Sequence, residues 1–500
     1  MCTRLETLGA TLAVGLVLAL GMPGGGGQAA DGTSLTGDGT GRRPNIVFVL
    51  ADQWRAKSTG YAGGLDVKTP HLDRLAQESV CFRNVVSVCP VCTPYRAALM
   101  TGRYPTSTGM FLNDAYLPQN EVCVAEVLKQ AGYATAYIGK WHLDGHGRSS
   151  YIPPERRQGW DYWQAAECDH NYLHSHYYEG DSPEKRFWEG YDAFAETKDV
   201  QAYLRAHAQA GPFVLFVSYG VPHFPHQTAP PEFQAFYPPE NIRLLPNVPE
   251  EFAAKARQEA QGYYAHCTAL DQCVGDVVTT LAETGLADST ILVFTSDHGE
   301  MLGSHGCPPK MKHVPWDEAA HVPFLLRYPA IHGQQGRVIE TPLTTPDIFP
   351  TLFGLAGVTV PQSCEGEDLS GLVRGGAPAT DRAALYMGVA PFAGKGYSKE
   401  YRAVRTSRYT YVRALDGPWL LFDDQRDPCQ LDNLVAKPEF AAIRNELAGR
   451  LQAELKRIGD DFRPAQYYVE TWGYELAPHG SVSYAPHAKV QSPKRRHVGE

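Results

Sequence analysis

Pro44-Asn45-Ile46-Val47-Phe48-Val49-Leu50-Ala51-Asp52-Gln53-Trp54 is an apolar run that ends on a carboxylate and an amide. Its unbroken apolar centre, rich in β-branched and aromatic residues, predicts a strand buried on both faces. The same grammar recurs along the chain. Residues 133–138 lead to Lys140, residues 213–218 to His223 and residues 291–295 to Asp297. Helical patterns lie between them, such as 121–131 and the long stretch 249–283. This alternation predicts an α/β fold with a large, mostly parallel sheet sandwiched by helices. Open sheets of this kind bind ligands at the C-terminal edge of their strands. Asp52, Lys140, His223 and Asp297 all empty onto that edge, so one site is expected there. A lone strand-end Asp is ordinarily a turn or cap residue; the set of four carries the argument.

With 500 residues and 43% hydrophobic composition the chain has ample core. Its net charge of −10 provides no broad basic face, which argues against nucleic acid as a partner. An anionic substrate must therefore be held by a few local cations. Residues 1–30 read as a signal peptide: Arg4, an apolar core at 8–20 and a small-residue zone ending Gln28-Ala29-Ala30. The expectation is an exported protein, periplasmic or secreted, with no stable membrane insertion after cleavage; the alternative is an uncleaved N-terminal anchor. Residues 31–43 read as a linker, 44–375 as the catalytic domain, and 376–480 as a smaller α+β subdomain. In the last, 401–406, 409–414 and 420–422 predict an antiparallel sheet and 438–458 a helix. The stretch 481–500 has no periodicity and reads as a mobile tail. The eleven cysteines form no small disulfide scaffold, and one or two bridges are compatible with export.

Cys92-Thr93-Pro94-Tyr95-Arg96 is followed by Ala97-Ala98-Leu99-Met100-Thr101-Gly102-Arg103. Thr93 suits a helix cap, Pro94 a first helical position and Gly102 a stop, so a short helix over 94–101 is expected. Cys92 would then sit just before a helix N-terminus, where free N–H groups favour an anion. Arg96, on the first turns, can fork two donors onto it. Cys89-Pro90-Val91-Cys92 is also a C-x-x-C, the pattern of a redox pair or half a zinc site; no second such pair occurs.

The C-x-P-x-R run and its sequel resemble the signature of the formylglycine-dependent sulfatases, members of the alkaline phosphatase-like superfamily. The 44–54 run, Gly139-Lys140-Trp141-His142, Val221-Pro222-His223-Phe224-Pro225-His226, Thr295-Ser296-Asp297-His298-Gly299-Glu300 and the lysines before Pro315-Trp316 resemble further motifs of that family, in order. Leu421-Phe422-Asp423-Asp424, with Asp432-Asn433-Leu434, resembles its C-terminal subdomain. The resemblance implies that Cys92 is converted to formylglycine by a formylglycine-generating enzyme. The hydrate of that aldehyde attacks sulfur, and loss of its second hydroxyl proton expels sulfate. It implies a metal held by Asp52, Gln53, Asp297 and His298 beside the modified Cys92, with calcium the first choice and magnesium or manganese also suitable. It further implies sulfate contacts from Arg96, Lys140 and His223, a proton acceptor in His142 and a final lysine at Lys312, or else Lys310. His223 is a sulfate contact or the leaving-group acid, and His226 has a weaker claim. Two departures stand out: Tyr95 where serine is usual, and Gln53 where a second aspartate is common.

The implied activity is hydrolysis of a sulfate ester. The loop Cys168-Asp169-His170-Asn171-Tyr172-Leu173-His174-Ser175-His176-Tyr177-Tyr178 favours a sulfated carbohydrate, since such a loop can stack on sugar rings; it also reads as a second metal site or as packed structure. Asn113-Asp114 is another candidate sugar contact. The alternatives are a phosphonate or phosphate diester hydrolase of the same superfamily, and a non-catalytic binder of sulfated glycan.

Overall fold

The computed structural model describes residues 42–377 and 381–483; the expected signal peptide and most of the expected linker lie outside them. Five parallel strands form the centre of a ten-stranded sheet: β1 (Asn45–Asp52), β2 (Ala134–Lys140), β3 (Tyr162–Ala166), β4 (Phe213–Pro222) and β5 (Thr290–Ser296). Their spatial order is β5-β1-β4-β2-β3. β1 lies centrally, with Phe48 opposite Phe216 of β4 and Val293 of β5. Antiparallel strands extend both edges: Phe324–Arg327 beside β5, and His176–Glu179 beside β3.

The double burial read from the 44–54 run follows from the pleat. Ile46, Phe48 and Leu50 enter one hydrophobic core, Val47, Val49 and Ala51 the other. On the first face Phe48, Phe216 and Tyr137 stack in a row, with centroids 4.9 and 5.0 Å apart. On the second face lies α3 (Glu250–Glu283), alongside α2 (Asp192–His207). Each fully buried large side chain contributes about 1.5–3 kcal/mol, so this sheet is a stiff platform.

The C-terminal sheet has four strands, one more than the pattern at 401–422 predicts: β6 (Ala384–Gly388), β7 (Tyr401–Arg405), β8 (Tyr409–Ala414) and β9 (Gly417–Asp423), all antiparallel. Ala384-Leu385-Tyr386-Met387-Gly388 is buried throughout, so it lacks the alternation that marks a half-exposed strand. The helix α4 (Ala441–Ile458) packs Leu447, Leu451 and Leu455 inward. These elements and the large sheet belong to one compact unit. Ser481, expected at the start of a mobile tail, is buried and hydrogen-bonded; residues 484–500 lie outside the described residues. Every cysteine among the described residues is free, so the bridges that export would permit are absent there.

Candidate active site

The helix α1 runs Cys92–Thr101, two residues longer at its start than Thr93 and Pro94 predict. Val91 is the cap and Cys92 the first helical residue. Thr93 does not cap; its backbone N–H donates to Asn113 Oδ1 (3.0 Å) and its hydroxyl to the carbonyl of His142 (3.0 Å). Pro94 still falls within the first turn, where a missing N–H removes no helical bond. Gly102 closes the helix in the left-handed region, as expected.

The thiol of Cys92 is buried in a ring of charge. His298 Nε2 lies 3.3 Å from Sγ, Lys312 Nζ 3.5 Å, Asp52 Oδ1 3.8 Å and Lys140 Nζ 3.9 Å. Burial opposes ionisation, yet Lys140, Lys312 and His298 hold the thiol well below its usual range. Cys89 does not share this environment. Its sulfur turns to His313 Nε2 (3.4 Å) and burial pushes its thiol up, which fits neither a redox pair nor a zinc site with Cys92.

One side of the ring is acidic. Asp52 ends β1 and Asp297 follows β5, and the two strands are neighbours. Arg96 Nη2 bridges the carboxylates at 3.2 Å from each, while its Nη1 donates to the Lys140 carbonyl (2.9 Å) and Ser218 Oγ (2.7 Å). One donor atom each from Asp52, Cys92, Asp297 and His298 lies within 4.8 Å of all the others. His298 donates Nδ1–H to the carbonyl of Gly299 (3.0 Å), which turns Nε2 toward Cys92; in the neutral ring that nitrogen carries the lone pair a metal would take. Two carboxylates and a neutral imidazole suit a divalent cation. Gln53 stands beside them with φ 68°. Its amide oxygen accepts from Lys312 Nζ (2.9 Å), and its amide nitrogen donates to Glu300. The implied amide-oxygen ligand is therefore hydrogen-bonded to a lysine here.

The other side is basic. Lys140, at the end of β2, reaches Asp52 Oδ2 at 2.5 Å. Lys312 Nζ donates to His223 Nε2 (2.7 Å), and His223 donates Nδ1–H to the carbonyl of Phe224 (2.7 Å). Burial, with Lys312 beside it, pushes His223 down to about 3. This neutral ring has no second proton to give, so the geometry favours a contact role over an acid role. Lys312 is 7% exposed and in the ring; Lys310 carries a side chain 38% exposed and pairs with Glu259 (2.9 Å). Lys312, the lysine expected from the motif, is thus the one in the ring, and its alternative Lys310 lies outside it. His226 also binds Glu259 (2.9 Å), outside the ring.

His142, at φ 60°, sets Nε2 on Asp114 Oδ1 (3.0 Å). Burial opposes its protonation, but Cys168, Asp114 and Cys92 raise it to about 9. Asp114 is buried against His142 and Arg148, which corrects its reading as a sugar contact. Glu167, just past β3, is a further residue that the sequence reading missed. Its buried carboxylate accepts the N–H groups of Leu143, Asp144 and Gly145, pinning the loop that carries His142. Of the histidine-rich loop, His170 stacks on His223 (4.3 Å), whereas His174 and His176 pair with Phe187 and Asp169. Among the described residues that loop forms no second metal cluster.

The sulfatase family model matches residues 44–358, and a model described as N-sulphoglucosamine sulphohydrolase, C-terminal, matches residues 303–457. The chain belongs to the sulfatase family and is a sulfuric ester hydrolase. The ulvan-active sulfatase of Formosa agariphila is 51% identical over 433 residues, covering 86% of this chain and 85% of that one. The endo-4-O-sulfatase of Bacteroides thetaiotaomicron is 28% identical, over 83% of this chain and 92% of its own. Among solved structures, yidJ of Bacteroides fragilis superposes with a TM-score of 0.76 at 30% identity, covering 89% of this chain and all of that one.

Proposed function

We propose that this enzyme removes sulfate from a sulfated polysaccharide, using Cys92 as formylglycine beside a bound calcium ion. The observation that carries the reading is the place of Cys92: a helix N-terminus, with ammonium groups on one side and carboxylates on the other. The aldehyde, as its hydrate, supplies an oxygen nucleophile that a thiol does not. Asp52, Asp297 and His298 would hold the cation, with Gln53 turning from Lys312 to join them; magnesium or manganese would serve the same donors. The cation supplies Lewis-acid polarisation of the sulfate.

The chain's own residues do the rest. Arg96 fixes the two carboxylates relative to each other and to α1. Lys140 and Lys312 offer N–H groups to sulfate oxygens. With the Cys92 thiol, one of the groups that favour its protonation, replaced by the aldehyde hydrate, the neutral His142 ring takes a proton at Nδ1, because Asp114 occupies its Nε2. Lys312 is the proton donor to the leaving oxygen, and neutral His223, which accepts from its Nζ, holds it in place. The relatives named above act on ulvan or are named for endo-4-O-sulfate removal, which makes a sulfated glycan the favoured substrate class. Residues 1–30 read as an export signal, and no helix among the described residues is long and apolar enough to cross a membrane.

Sulfate release from ulvan oligosaccharides, measured alongside hydrolysis of a phosphate diester and mass spectrometry of the Cys92 peptide, tests the reading. Preferred desulfation with the aldehyde mass at residue 92 is expected. Faster diester hydrolysis favours the phosphonate or phosphate alternative. An unmodified thiol in active enzyme overturns the mechanism; an unmodified thiol in inactive, glycan-binding protein favours the non-catalytic alternative.

A further inference from the structure

The histidine placed beside Cys92 is held from a distant part of the chain. Asp114 accepts His142 Nε2–H on Oδ1 (3.0 Å) and the hydroxyl of Ser481 on Oδ2 (2.9 Å). Ser481 Oγ lies 2.6 Å from His479 Nε2. Since the serine proton is given to Asp114, the serine oxygen accepts from His479, and the chain of donors runs His479 to Ser481 to Asp114. Arg148 binds the same carboxylate from the side, at 3.2 Å. A carboxylate held on both oxygens cannot rotate, so Oδ1 stays on His142 Nε2 and the base is fixed at Nδ1. That second nitrogen is buried and has no hydrogen-bond partner.

Ser481 is itself held by a hairpin. Leu476 and Val482 pair antiparallel, Ala477 N–H donates to the Ser481 carbonyl (2.8 Å) and Ser483 N–H to that of Glu475 (3.1 Å). Gly480 turns the chain at φ 93°. The hairpin docks on the loop that supplies Asp114: Val482 N–H donates to the Asn113 carbonyl (3.1 Å), and Tyr474 donates to Gly109 (2.8 Å) and packs on Phe111. Asn113 in turn receives Thr93 N–H at the start of α1. The hairpin thus reaches both His142 and the helix that begins with Cys92.

We propose that the C-terminal hairpin 475–483 is part of the active site, with Ser481 and His479 as positioning residues for His142. The inference rests on the role given to His142 above. The test compares wild type, Ser481→Ala, Ser481→Thr, His479→Ala and Cys92→Ala by sulfate release, with thermal unfolding in parallel. Loss of the hydroxyl is expected to lower kcat about tenfold, the scale seen for outer-shell partners, with KM nearly unchanged. Threonine should restore most of the rate. His479→Ala, at an exposed side chain, should lower kcat by about threefold, and decides the matter should Ser481→Ala not fold. Unchanged kcat in Ser481→Ala, or a loss that threonine does not restore, overturns the positioning role. Undiminished turnover by Cys92→Ala sinks the underlying mechanism instead, so the two failures are told apart.

Discussion

The acidic and basic sides of Cys92 are built by different means. Asp52 and Asp297 are the ends of adjacent parallel strands, and the ladder runs on into them: Asp297 N–H donates to the Ala51 carbonyl (3.2 Å) and Trp54 N–H to Ser296 Oγ (2.8 Å). Lys312, by contrast, comes from a loop. Lys312 sits between Lys310 and His313, both left-handed at φ 77° and 65°. That loop is tied down by Lys310 N–H to Glu300 (2.6 Å) and His313 N–H to the Pro90 carbonyl (2.9 Å). Residues other than glycine hold such conformations only where surrounding contacts impose them. The carboxylates are therefore inherited from the sheet, while the basic side adds to the strand-end Lys140 and His223 a lysine placed by long-range contacts.

Substitutions can break this contrast. Cys92→Ala removes the group on which both sides converge, and turnover should fall by about a thousandfold or more, with the fold intact by circular dichroism. Asp297→Asn should lower activity by about a hundredfold and abolish stoichiometric calcium in metal analysis; equal metal content in the variant would refute the assignment. Chelation of wild type should reproduce that loss, with recovery on calcium addition. Lys312→Ala should cost about tenfold in kcat/KM and Lys310→Ala less than about twofold; reversed effects would swap their roles. Glu300→Gln sharpens the contrast, because Glu300 touches both Gln53 and the Lys310 backbone. It should weaken calcium binding by about tenfold, read by calorimetric titration.

His142 shows how far the sequence was legible. Its place after a strand and its neighbours Lys140 and Trp141 pointed to the site. Nothing near it in sequence announced Glu167 or Ser481, and Asp114 was read as a sugar contact and not as the partner of His142. Asp114 is 28 residues from His142 and Glu167 is 24 from Leu143, and neither stands in a pattern that marks it as a support for the His142 loop. Ser481 lies 367 residues from Asp114, in a stretch without the periodicity that reveals a packed element.

The amino-acid order alone determined the buried parallel strands, the polar residues at their C-terminal ends and the C-x-P-x-R helix start. Those features are local: hydrophobic burial acts on runs of side chains, and strand direction decides which end opens to a ligand. Only the folded chain decided that Lys312 and not Lys310 faces the cysteine, that Asp114 holds a histidine, and that a hairpin after the last helix closes on it. Those outcomes depend on hydrogen bonds between residues far apart in the chain, whose geometry exists only once the sheet has brought their loops together.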